Sequence, residues 1–393
     1  MPNEASFRIH LPFLLYLTGI FFLNFIARVI LAPLVPTIEK DLNIGHGEAG
    51  SLFFFLSLGY FVGLLGSGFV SSRFTHRWTI IMSSVAVGGS LLAISFSQSL
   101  FWIRSGLIPL GLSAGLYLPS GISTVTGLAS SRDWGKAIAV HELAPILAFI
   151  TAPLLAEGLM IWFSWRGVVA LIGGTAAVAG GAFIRFGRGG AFYGEIPSPK
   201  NLRVLLKIPS FWIMVLFFSM AIGASLGVYT MLPLYLVAEH GLERGLANTL
   251  VAISRIAGLG VVFLAGWVTD RLGPRRTLGG VFLTTGITTI LLGSLQGLWI
   301  LPALFSQPVL AGCFFPAGFA ALSRIGPHQV RNVAISLTIP MAYFSGGGAI
   351  PAIIGFMAEK GLFPLSIMLV GVLIMGGILL LKYLRFYEEE VNV

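Results

Sequence analysis

Residues 67–80 read SGFVSSRFTHRWTI, and residues 265–278 read AGWVTDRLGPRRTL. The two stretches lie 198 positions apart in a chain of 393 residues. In that register Gly68 matches Gly266, Val70 matches Val268, Arg73 matches Arg271, Arg77 matches Arg275 and Thr79 matches Thr277. Each copy follows one long apolar segment and precedes another. Self-similarity at half the chain length is read before any local pattern, because it sets the architecture. It predicts two homologous halves built from membrane helices.

Composition agrees with that expectation. The chain is 56% hydrophobic and 10% charged, with mean hydropathy +0.92. A soluble domain carries roughly 25% charged residues. A spanning helix needs about 20 apolar residues. Twelve such stretches are expected, at 11–36, 50–71, 78–98, 101–127, 135–159, 166–186, 210–236, 247–269, 277–296, 298–322, 332–358 and 363–384. The expected fold class is an all-α polytopic membrane protein with two pseudo-symmetric six-helix bundles. Residues 1–186 form the first bundle, 187–208 a cytoplasmic linker and 209–393 the second. The linker is Gly- and Pro-rich at first and basic at its end, where Leu202 to Ile208 suit a short amphipathic turn.

The net charge of +9 is a topology signal. With the N-terminus inside, the cytoplasmic segments hold 17 Lys and Arg, and the outer segments hold five: Lys40, Arg104, Arg166, Arg244 and Lys360. That bias puts both termini in the cytoplasm. It predicts a multi-pass protein of the plasma membrane (the inner membrane in a bacterium), with no nucleic-acid partner. The first segment is too long for a signal-peptide core and has no small-residue cleavage site, so it reads as a retained helix. The single cysteine, Cys313, excludes an internal disulfide and a cysteine metal cluster. The loops are too short for a soluble catalytic domain, and no nucleotide loop, zinc spacing or nucleophile motif appears. No enzyme activity, cofactor or metal is expected.

The second loop, Gly266-x-x-x-Asp270-Arg271-x-Gly273-x-Arg275-Arg276, resembles the conserved loop of the major facilitator superfamily. Together with the repeat spacing and helix count, the resemblance covers nearly the whole chain. Within the superfamily it is most similar to organic-anion symporters and to monocarboxylate and cyanate permeases. The resemblance implies that these residues, with Arg73 and Arg77 of the first copy, knit helix ends at the cytoplasmic face. In that role they help hold one conformation of the transport cycle. The first copy departs from the pattern: Ser72 stands for the acid, Thr75 for the glycine and His76 for an arginine.

Charges within the bilayer core cost roughly 2.5–3.5 kcal/mol each on insertion scales, so they mark function. Arg28 sits in LNFIARVILAPLVP with eight uncharged residues on either side. Two readings stand: a guanidinium paired with helix carbonyls, or one that grips an anion in a central cavity through planar, bidentate hydrogen bonds. The resemblance favours the second, since organic-anion symporters carry an arginine at this place, commonly preceded by Asp; here Ala27 precedes it. Arg255, in TLVAISRIAGLG, lies about 22 Å from Asp270 along the helix at 1.5 Å per residue. It is either an outer-side anchor or a second anion contact, as in monocarboxylate and nitrate transporters of the superfamily. His141 and Glu142 lie in the fifth helix, and Glu142 is the acid farthest from both helix ends. Each is either a structural partner or a proton carrier. Asn24 is one turn before Arg28, and Tyr60, Tyr117, Tyr229, Gln307 and Tyr343 lie on helices that line the cavity in this fold.

The resulting expectation is a monomeric secondary transporter that takes up a small, monocarboxylate-like organic anion with a proton by alternating access. Two rivals stand beside it: a drug or metabolite exporter of the same fold, and a non-transporting membrane sensor or scaffold.

Overall fold

The computed structural model describes residues 4–196, 199–327 and 330–387. Among these residues there is no strand, and nine segments are long and apolar enough to cross a membrane. One of the nine, His46–Ser95, is two helices joined across a non-helical Thr75. The helix Leu100–Leu128 and the interrupted segment 244–272 complete the twelve crossings. In chain order they are α1 (Glu4–Val29 and Leu31–Leu42), α2 (46–74), α3 (76–95), α4 (Leu100–Leu128), α5 (Trp134–His141 and Leu143–Met160) and α6 (Trp165–Phe186). The second half has α7 (Pro209–Ile222 and Val228–Ala238), α8 (Arg244–Ser254 and Gly258–Leu272) and α9 (Pro274–Ser294). It ends with α10 (Ile300–Gly312 and Phe314–Leu322), α11 (Arg331–Ala342 and Ile350–Glu359) and α12 (Phe363–Leu380).

Six of these helices are interrupted, and the sequence supplies most of the reasons. Proline has no N–H for the carbonyl four residues back and clashes with it. Pro33 thus frees the carbonyl of Val29, Pro145 that of His141 and Pro316 that of Gly312. The breaks fall at Ile30, Glu142 and Cys313. α8 breaks without proline: Arg255 N bonds Ala252 O at 3.2 Å and Gly258 N bonds Arg255 O at 3.2 Å, so the turn tightens to 3₁₀ ahead of Gly258. α7 and α11 each carry a π-helical stretch, Gly223–Gly227 and Tyr343–Ala349. A Cβ on Gly227 would meet the backbone carbonyl of Gly346, so glycine lets these stretches touch.

The helices gather into two compact units, 1–44 with 55–196, and 45–54 with 197–393. In the first unit α2 and α4 pack backbone to backbone. Cβ atoms on Gly59 and Gly63 would strike the carbonyls of Ile108 and Leu112, and on Gly111 and Gly115 those of Leu56 and Tyr60. These are two facing G-x-x-x-G pairs, the pattern that brings membrane helices close. The linker's first residues belong to this unit: Arg77 N donates to Gly190 O (2.7 Å), His76 N to Phe192 O (3.0 Å) and Gly194 N to Ser71 O (3.0 Å). In the second unit the start of α2 packs on α11, with Gly47 N donating to Glu359 Oε2 at 3.0 Å. The linker's basic end forms the short helix Pro199–Leu206, three residues earlier than the expected turn and opened by a proline at its first position.

The repeated loops have the same backbone and the same purpose. Thr75 (φ 67°, ψ 159°) and Gly273 (φ 78°, ψ 155°) turn the chain identically. The arginine two residues on caps a distant helix end. Arg77 donates to the carbonyls of Gly187 (2.9 Å), Ile184 (3.0 Å) and Phe183 (3.3 Å) at the end of α6. Arg275 donates to those of Leu381 (2.6 Å), Leu384 (3.0 Å) and Lys382 (3.1 Å) just past α12. Cations belong at a helix C-terminus, where carbonyls lack partners and the dipole is negative.

Candidate functional site

The charged residues expected inside the membrane all lie at helix interruptions. Arg28 stands two residues before the break in α1, Glu142 is the break in α5, and Arg255 opens the break in α8. Interrupted membrane helices expose backbone and end dipoles where a ligand sits, which makes these positions the site to build from.

In the first unit the Arg28 guanidinium lies 4.4 Å from the Phe25 ring centroid and 4.2 Å from that of Tyr60, and the residue is only 6% exposed. Phe25 continues edge-on to Phe149 of α5 at 5.0 Å. Aromatic faces stabilise a desolvated cation by about 2 kcal/mol or more. Asn24 is separate: its amide donates to the Ala114 carbonyl of α4 at 3.2 Å.

One turn earlier in α1, at Phe21, is a second cluster. The His141 ring stacks on Phe21 (4.4 Å, 7°) and Phe21 stacks on Tyr117 (5.2 Å, 13°). Tyr117 Oη lies 2.9 Å from the Leu17 carbonyl and 3.1 Å from His141 Nε2. His141 Nδ1 lies 3.2 Å from Glu142 Oε1. The His141 side chain is 2% exposed and that of Glu142 45%. The Pro145 break lets neighbouring residues meet: in a straight helix their side chains diverge by about 100°. Tyr117, expected among the anion contacts, is thus held by a carbonyl and a histidine.

In the second unit Arg255 Nη2 donates to the Ser225 carbonyl at 2.7 Å, and its guanidinium lies 4.7 Å from the Tyr229 centroid. That carbonyl belongs to the π-helical stretch of α7. The arrangement mirrors the first unit with roles exchanged: there the first helix gives the arginine and the second the tyrosine. Gln307 is buried and ties α10 to α7, donating to Ala224 O at 2.9 Å and to Thr289 Oγ1 at 3.3 Å. Tyr343 opens the π-helical stretch of α11.

The loop residues do not form one cluster. Asp270, Arg73 and Arg276 are exposed, Arg271 lies 4.1 Å from the Trp267 ring centroid, and Gly266 and Gly273 have open space around them. Among the described residues no group of three or more His, Cys, Asp or Glu is placed to hold a metal. Two features were missed in the sequence although it spells them: the facing G-x-x-x-G pairs, and the three interruption-forming prolines.

The Major Facilitator Superfamily profile matches residues 17–305. The chain belongs to that superfamily. It is a multi-pass membrane protein and a secondary transporter of small molecules, not an enzyme. It is similar to the 4-hydroxybenzoate transporter PcaK of Acinetobacter baylyi, 22% identical over 365 residues, covering 78% of this chain and 79% of that one. It is also similar to the multidrug resistance protein MdtL of Escherichia fergusonii, 23% identical over 370 residues, covering 90% and 89%. Among solved structures it resembles a bacterial homolog of the human lysosomal transporter Spinster, with TM-score 0.81 at 15% identity, covering 94% and 96%. That likeness bears on the fold alone.

Proposed function

We propose that the protein takes up a small organic anion of the monocarboxylate kind together with a proton, by alternating access, as a monomer with both termini in the cytoplasm. The observation that carries this reading is the pair of arginines at interrupted helices, each with its guanidinium on a tyrosine ring. Arg28 and Arg255 each offer a planar fork that matches the two oxygens of a carboxylate. Tyr60 and Tyr229 hold the forks, and Asn24, Gln307 and Tyr343 set the helix positions around them. A negative-inside potential opposes anion entry by about 2.3 kcal/mol per charge per 100 mV, and one proton per anion removes that opposition. Glu142 and His141 carry the proton. Asp270, with Arg271, biases the inward and outward balance, while Gly266, Gly273, Arg73, Arg77, Arg275 and Arg276 shape and anchor the same surface.

The test is uptake into proteoliposomes across a panel of aliphatic and aromatic monocarboxylates. Acid outside should drive uptake of at least one, and Arg28→Lys and Arg255→Lys should each impair it nearly as much as alanine, because a point charge cannot reproduce the fork. Unchanged affinity in Arg28→Ala would remove the arginine pair from the site. The likeness to MdtL over 90% of the chain supports a second reading, export of drugs. Dye extrusion that survives both arginine substitutions would favour it.

A further inference from the structure

One arrangement of hydrogens makes a hydrogen bond of every contact among Leu17, Tyr117, His141 and Glu142. The Leu17 carbonyl only accepts, so the Tyr117 hydroxyl gives its one hydrogen there, across 2.9 Å. Toward His141, at 3.1 Å, the same oxygen must then accept, which places a hydrogen on Nε2. A neutral imidazole so held turns its Nδ1 lone pair to Glu142 Oε1, 3.2 Å away. A lone pair against a carboxylate repels. One proton between them, on Nδ1 or on the carboxyl, makes the contact a charge-assisted or neutral hydrogen bond.

We propose that His141 and Glu142 bind one proton as a unit, and that Tyr117 is the positioning residue that makes this proton obligatory by holding His141 as the Nε2–H tautomer. The proton enters and leaves through Glu142, whose side chain is 45% exposed, because His141 is enclosed. Among the described residues, two other helices present groups to the pair. α4 presents Tyr117. α1 presents the Phe21 ring, the Leu17 carbonyl and Thr18, whose hydroxyl is 3.4 Å from the Val140 carbonyl. Arg28 joins this aromatic cluster through Phe25, which lies edge-on to Phe21. An anion at Arg28 is therefore linked to the proton through two rings, Phe25 and Phe21.

The lock is what links protonation to conformation. With Nε2–H held, the unprotonated pair is destabilised in this packing and favours another. Without the lock, neutral His141 can carry its hydrogen on Nδ1 and donate to the Glu142 carboxylate, so both protonation states fit equally. A proton that does not discriminate between conformations shifts nothing.

The use of this proton in transport rests on the symport reading above; the proton site itself does not. Two measurements separate them. The first is ¹⁵N spectroscopy of the full chain labelled at histidine, with His141→Asn to assign the signal. Neutral His141 should be the Nε2–H tautomer in the wild type and shift to Nδ1–H in Tyr117→Phe. An Nδ1–H wild type, or a tautomer unmoved by Tyr117→Phe, overturns the proposal, and the wild-type spectrum alone decides if the variant does not fold. The second is accumulation driven by a pH gradient, divided by counterflow in the same vesicles. One coupled proton supports about tenfold accumulation per pH unit. The ratio should fall about tenfold in Tyr117→Phe, and wild-type accumulation there would overturn the lock. If the wild type itself ignores the pH gradient, the symport reading fails, while the spectra still decide the proton site.

Discussion

Thr75 is a β-branched residue in a backbone region, φ 67° and ψ 159°, that glycine occupies at the matching position of the second half. Such a conformation costs a residue with a side chain about 1–3 kcal/mol. Its own hydrogen bonds offset part of this: Thr79 Oγ1 donates to Thr75 O at 2.7 Å, and Trp78 N to Thr75 Oγ1 at 3.5 Å. Thr75→Gly keeps the first and loses the second, and adds roughly 0.5–1 kcal/mol of chain entropy cost. The net expectation is a gain of about 1 kcal/mol, seen as a higher melting temperature in detergent. A lower one would mean that the hydroxyl matters more than the strain. At this scale the repeat was legible: Arg77 and Arg275 stand out as matched positions. Their partners were not, because helix-end carbonyls at 187 and 381 carry no sequence mark. The arginines were expected at a conformational gate; in the structure each caps a helix end.

Two adjacent glycine pairs decide how α2 meets α4. A Cβ at Gly111 would press on the Leu56 carbonyl and lie 2.7 Å from Tyr60 N, both backbone atoms that no rotamer change can move. Gly111→Val should therefore cost about 1–3 kcal/mol or more by overpacking. It should also weaken anion binding, because Tyr60 is the ring under Arg28. Gly174→Ala is the control, since nothing lies within 4 Å of its added Cβ. Equal thermal stability of the two variants would show that α2 and α4 separate without penalty. Helix existence was plain from hydropathy. Helix interruption was less so: prolines announce the breaks at Ile30, Glu142 and Cys313, but α8 breaks at Arg255 with no proline, where local 3₁₀ bonding prevails.

For the whole molecule the charge bias makes a prediction that is independent of any site. With Cys313→Ser as background, a cysteine at Glu195 should react only with reagent admitted to the cytoplasmic side, and one at Gln296 with impermeant reagent outside. Both residues are exposed. The reverse pattern would invert the topology and the direction of every gradient invoked above. The sequence by itself determined the class of molecule: apolar runs of membrane length, a repeat at half the chain and a loop that names a superfamily are one-dimensional signals, because bilayer thickness and the cost of buried charge act on each segment locally. It also picked out Arg28, Arg255, His141 and Glu142, since a charge in an apolar run is conspicuous wherever it folds. Only the tertiary structure decided what each of them touches. Tyr117 lies 24 residues from His141 and 100 from Leu17, and its role follows from a hydroxyl that meets both. That convergence depends on how α1, α4 and α5 pack, which is set by shape and close contact rather than by any periodicity along the chain.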